Sequence, residues 1–154
     1  MTKRRRRRLS TIAGLALAVV VIGVGRAEAS HTTDHPMKHK VFFHLNESDP
    51  QKAIAVLTNV QNLVDTVGWK NIEALELVVH GPGLRPFIAK TIDPEVRGKV
   101  EVLLTGGMTM GACQITMKRQ NIKPEELIDG LVPIPSGVVR VMELEEKGYA
   151  YIRP

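Results

Sequence analysis

Between Val41 and Ile152, short apolar runs alternate with longer stretches whose apolar residues return every three or four positions. That alternation leaves few folds open. A strand, a helix and a second strand make a right-handed parallel crossover, and a parallel sheet is buried on both faces by its helices. Val41 to Leu45 and Ala74 to Val79 (ALELVV) read as buried strands, Leu131 to Ile134 as another, and Tyr149 to Ile152 as an edge strand. Val100 to Leu104 (VEVLL) reads as the third strand, which leaves a long Gly-rich loop from Thr105 to Cys113.

The helices carry start and stop signals. Asp49-Pro50 supplies an N-cap and a first-turn proline, Ile54, Leu57, Val60, Leu63, Val64 and Val67 follow at helical spacing, and Gly68 ends the run. Short helices are expected over Leu84 to Lys90, Gln114 to Gln120 and Pro124 to Ile128. Ser136 caps a last helix that Gly148 stops.

The net charge of +5 suggests a nucleic-acid or membrane-surface binder until the charges are located. Residues 1–29 hold seven of the 21 basic residues and one of the 16 acidic ones, leaving 14 against 15 over residues 30–154. The domain is near neutral and only 4% of the chain is aromatic, so nucleic acid is not an expected partner. The basic residues instead form the n-region of a secretory signal: Met1 to Arg8, an uncharged stretch from Ile12 to Val24, and Ala27-Glu28-Ala29 as a small-x-small cleavage pattern. The apolar stretch is shorter than the roughly 20 residues of a membrane span. The expected organisation is a signal peptide over 1–29, a polar leader over 30–40 and one α/β domain over 41–154. That implies export to a periplasm and no stable membrane span after cleavage.

Export makes the single cysteine informative, since it excludes an intramolecular disulfide. Ligands of open α/β sheets bind beyond the carboxyl ends of the strands, where Asn46, His80-Gly81-Pro82-Gly83 and Cys113 would converge on one crevice. Cys113 also directly precedes a helix, whose N–H groups favour a thiolate. A small buried hydrophobe between Ala112 and Ile115 is the competing account of this residue.

Several segments together resemble the DsrE/DsrF-like family. They are Phe43-His44-Leu45-Asn46, Val78-Val79-His80-Gly81, Ala112-Cys113-Gln114-Ile115-Thr116-Met117, Pro124-Glu125-Glu126-Leu127, Val132 to Val139 and Glu146 to Pro154. The resemblance runs from about Lys40 to Pro154. It implies a three-layer α/β/α sandwich with a mainly parallel sheet of about five strands, and homo-oligomers. It also implies sulfur relay, with sulfane sulfur held on Cys113 as a persulfide and no cofactor. Sulfur donor and acceptor proteins, or small sulfane-sulfur species, would be the partners. Asn46, His80, the Gly81 and Gly83 backbone, and Thr116 would line the pocket. Two departures stand out: Ile115 occupies a position where the family pattern has Asn, and the Gly106 to Gly111 stretch lengthens the loop before the cysteine.

A soft-metal reading competes. Met108, Met110, Cys113 and Met117 form a thioether and thiolate set of the kind that selects Cu(I), and His31, His35 and His39 would add imidazoles. A third reading is an interaction protein in which Cys113 is inert. The chain has no Gly-x-Ser-x-Gly elbow, no phosphate-binding P-loop and no dinucleotide glycine pattern.

Overall fold

The computed structural model describes residues 38–154. The expected signal peptide, and His31 and His35 of the expected leader, lie outside the described residues. Five strands form one wholly parallel sheet in the order β4-β3-β2-β1-β5. They are β1 (His39–Leu45), β2 (Ile72–Val79), β3 (Thr109–Cys113), β4 (Leu131–Ile134) and β5 (Ala150–Ile152). Four α-helices connect them: α1 (Pro50–Val67), α2 (Pro94–Gly106), α3 (Gln114–Gln120) and α4 (Gly137–Glu146).

The expected caps of the first helix are present. The Asp49 carboxylate accepts from the Gln51 N–H, and Gly68 ends α1 at φ 81°. Val100 to Leu104 is not a strand but the interior of α2. Asp93-Pro94 repeats the Asp49-Pro50 start, with Asp93 accepting from the Glu95 N–H, and Gly107 closes the helix in the left-handed region. Val96, Val100 and Leu103 then fall on one buried face, at spacings of four and three. The third strand lies later, in Thr109–Cys113, and is buried beyond its first residue. No extended loop precedes Cys113. The segment expected to be one is an interior strand, buried because β2 and β4 flank it.

Strand alternation divides the core. Val41, Phe43, Leu45, Leu75, Leu77, Val79, Met110 and Ala112 face α1, α2 and Met117 of α3. Phe42 and Val78 face the other way and meet Leu144 of α4 in a much smaller cluster. One helix therefore covers the second face. It is fixed there by an ion pair: Arg140 of α4 grips the Glu76 carboxylate through Nε at 2.8 Å and Nη2 at 2.6 Å. Glu76, on the central β2, is only 6% exposed. Gly111 leaves it room, since a Cβ there would lie 3.4 Å from Oε1 and 2.8 Å from Ile134 Cδ1.

Candidate functional site

Cys113 ends β3 and is the N-cap residue of α3, with ψ 114° and therefore still extended. Strand alternation puts its side chain on the α4 face, and it is 5% exposed. Burial pushes the thiol pKa up. The Thr116 hydroxyl and the backbone N–H groups of Gly137, Thr116 and Ile115 outweigh that effect, and the thiol lies below its ordinary value. The donors come from the first turns of two helices, so both dipoles act in the same sense. No cap hydrogen bond of ordinary length closes on the sulfur. Sulfur is a weak acceptor as a thiol, and these groups act on the thiolate.

Thr116 has its own constraint. Gly81 donates its N–H to Thr116 Oγ1 at 2.8 Å, which occupies the oxygen as acceptor and leaves its proton for the sulfur. Gln120 Nε2 donates to the Gly81 carbonyl at 2.9 Å and holds the same turn from below. The Gly83 N–H goes to the His80 carbonyl at 3.1 Å. The Gly83 amide therefore serves the turn itself and the Gly81 amide ties the turn to α3, so what the two glycines offer the crevice is close approach. A Cβ on Gly83 would sit 2.6 Å from the Leu45 carbonyl oxygen.

His80 follows β2, beside the end of β3, since Val79 is in register with Ala112. Its side chain packs on Gly137, where a Cβ would lie 2.7 Å from His80 Cβ. On its other side it stacks with His44, ring centroids 4.7 Å apart. His44 Nδ1 is hydrogen-bonded to the Tyr151 hydroxyl at 2.9 Å. Burial, the neighbouring His80 and the Arg153 guanidinium bring His44 down to about 4. Burial and Arg153 also lower His80. Both rings are thus neutral at pH 7. Arg153 donates to Asn46 Oδ1 at 3.0 Å, which places Asn46 at the outer end of this row.

The structure brings Cys113, Thr116, Gly81, His80 and Asn46 to one rim of the sheet. Gly137, His44, Tyr151 and Arg153 belong to the same rim and were not among the pocket residues expected from sequence. Ser136-Gly137 was the legible signal for the first of them. Its helix-start pattern is explained by capping, Ser136 Oγ accepting from Val139 N–H at 3.4 Å, but the cap also presents the Gly137 N–H to sulfur. The methionine set is not brought together with the thiol. Met108, Met110 and Met117 lie in the aliphatic core on the α1 and α2 side, whereas Cys113 faces α4. Among the described residues no cluster of three or more His, Cys, Asp or Glu could hold a metal, and His39 begins β1.

No protein-family model matches the sequence, and no curated protein matches it. Solved structures do. MTH1491 from Methanobacterium thermoautotrophicum, titled a protein of unknown function, aligns with a TM-score of 0.65 and 28% identity over 76% of this chain and 100% of its own. YchN from E. coli aligns with a TM-score of 0.64 over 75% of this chain and 99% of its own, at 14% identity, a likeness of fold alone. In fold, this chain is an α/β/α sandwich of the DsrE/DsrF-like type that these neighbours share.

Proposed function

We propose that this protein is a thiol-based sulfur carrier that holds sulfane sulfur on Cys113, working in the exported, periplasmic setting suggested by residues 1–29. The observation that carries the reading is the seat of a nearly buried thiol at the starts of two helices, beside Thr116, whose donors hold its pKa below the ordinary value despite burial. A merely structural cysteine in an apolar site has its pKa raised. In the loading step the Cys113 thiolate attacks the outer sulfur of a donor R–S–SH. The donor S–S bond breaks, RS⁻ leaves, and Cys113–S–SH forms; an acceptor thiolate later removes the outer sulfur by the same exchange. The donors that favour the thiolate also favour an anionic persulfide. The neutral His80 ring offers a polar wall without a competing charge.

The test is direct. Polysulfide treatment of reductant-free protein should add one sulfur, about 32 mass units by intact mass, and cyanide should strip it as thiocyanate. Cys113→Ser should take up none. Absence of the adduct from the native protein overturns the proposal.

Assembly into a homo-oligomer belongs to the same reading. The single-helix face leaves Val132 60%, Val138 67%, Met142 50% and Tyr151 42% exposed around α4, an apolar surface of the kind that marks an interface. Light scattering on the purified protein should report more than one chain; a monomer at every concentration removes this part.

A further inference from the structure

Two concavities of about 500 Å³ each adjoin at Ile122, on either side of the end of α3. One is lined by Gln114, Met117, Lys118, Asn121, Ile122, Lys123 and Pro124. The other takes Arg85, Ile88, Thr91, Arg119, Gln120 and Ile122. Each therefore has two cations and no acidic residue in its lining; the first is mainly apolar, through Met117, Ile122 and Pro124, and the second mainly polar.

This is a local excess. Residues 38–154 carry 14 Lys and Arg against 14 Asp and Glu. The ion pairs of the described residues use Lys40, Lys99, Arg140 and Arg153, and none of the four cations at α3. Glu125 and Glu126 are nearby but line neither concavity, and Glu126 already accepts from the Lys123 N–H at 2.7 Å. Lys118 and Arg119 in the last turn of α3 suit its dipole, but that role accounts for neither Arg85 nor Lys123. The charges are also close to the thiol. Gln114, in the first lining, is the residue after Cys113, and the seven residues of α3 span only about 10 Å.

We infer that this face docks the protein that exchanges sulfur with Cys113, through a segment of that partner bearing both acidic and apolar side chains. The apolar lining of the first concavity favours a peptide surface over a nucleic-acid backbone, and the cations of both supply orientation and encounter rate. The inference rests on the sulfur-carrier reading and adds the chemistry of the partner. The transfer is the exchange already written, with the peptide's Cys–S–SH as donor and its thiolate as leaving group.

The test uses the full chain and two synthetic peptides, each with one cysteine persulfide flanked by leucines and by either glutamates or lysines. The acidic peptide should load Cys113 about tenfold faster at low ionic strength, and the advantage should fade near 1 M salt, where the screening length is about 3 Å. The doubly reversed variant Lys118→Glu, Arg119→Glu should lose that preference while polysulfide loads it at the native rate. A folded variant is certified by that polysulfide rate. Equal rates for the two peptides on native protein overturn the docking inference. Failure of polysulfide as well would instead overturn the carrier reading beneath it.

Discussion

Replacing Thr116 by Val isolates the electrostatics of the thiol, because valine keeps the shape and removes only the hydroxyl. The oxygen has two roles: it accepts the Gly81 N–H at 2.8 Å and it turns its proton toward Cys113. A hydrogen bond to a charged group contributes about 1.5–3 kcal/mol. The hydroxyl is one of four donors that favour the thiolate, so the lower end applies, and 1.4 kcal/mol is about a factor of ten. Thr116→Val should therefore lower the thiolate population, and the alkylation rate by iodoacetamide near neutral pH, about tenfold. Its pH–rate profile should move to higher pH while the plateau at high pH stays put. The Gly81 N–H also loses its acceptor, which should cost about 1–3 kcal/mol of stability in a urea titration. Thr116→Ser restores both functions of the oxygen and should restore both readouts. A valine profile that superimposes on the native one would refute the reasoning, because burial and the backbone N–H groups would then set the reactivity of Cys113 without the hydroxyl.

Three further outcomes follow from the same rim and its support. Arg140→Met strands the Glu76 carboxylate in the sheet; it should cost about 3 kcal/mol, the low end for a broken buried pair, because the arginine side chain is 29% exposed. Adding Glu76→Gln should recover most of that loss in chemical denaturation, and a single variant of native stability would contradict the account. His44 and His80 are held neutral in the fold, whereas their unfolded counterparts take up protons below about 6.5. Stability should therefore fall as pH drops from 6.5 toward 4, and His44→Gln should flatten that slope in a series of melts. Gly137→Ala should displace either His80 or the start of α4, since its Cβ would be 2.7 Å from His80 Cβ. A loss of about 1–3 kcal/mol is expected, with slower alkylation of Cys113 as the Gly137 N–H withdraws.

Most of the element order was legible because the punctuation was strong: Asp49-Pro50, Gly68, Ser136 and Gly148 bound their helices much as capping chemistry requires. The failure at Val100 to Leu104 shows how patterns compete. VEVLL satisfies a strand template, but it is also one turn and a half of a helix whose start, Asp93-Pro94, lies six residues earlier. The real strand, Thr109–Cys113, has one β-branched residue and a glycine, and propensity gave it no voice. Its place comes from β2 and β4 on either side, a tertiary effect. At the site, Cys113, His80 and Asn46 were readable because parallel strands end at one rim. The Arg140–Glu76 pair was not, although a lone acid within ALELVV was a hint that a cation must reach the sheet. Tyr151 and Arg153 join the rim only because β5 pairs with β1, which lets each bond a residue 107 positions earlier, a separation no local pattern encodes.

The connection from β4 to β5 runs between opposite edges of the sheet, and α4 is the whole of its span. It behaves as a tie-bar: slack at either rim is felt at the other. The bar starts at the Gly137 amide that faces sulfur and ends near the strand that delivers Tyr151 to His44. Its opening and the exposure of the thiol are then one event. Deuterium uptake at Ala150–Ile152 should keep time with uptake along α4, and any partner that prises the helix up would uncover the sulfur in the same motion.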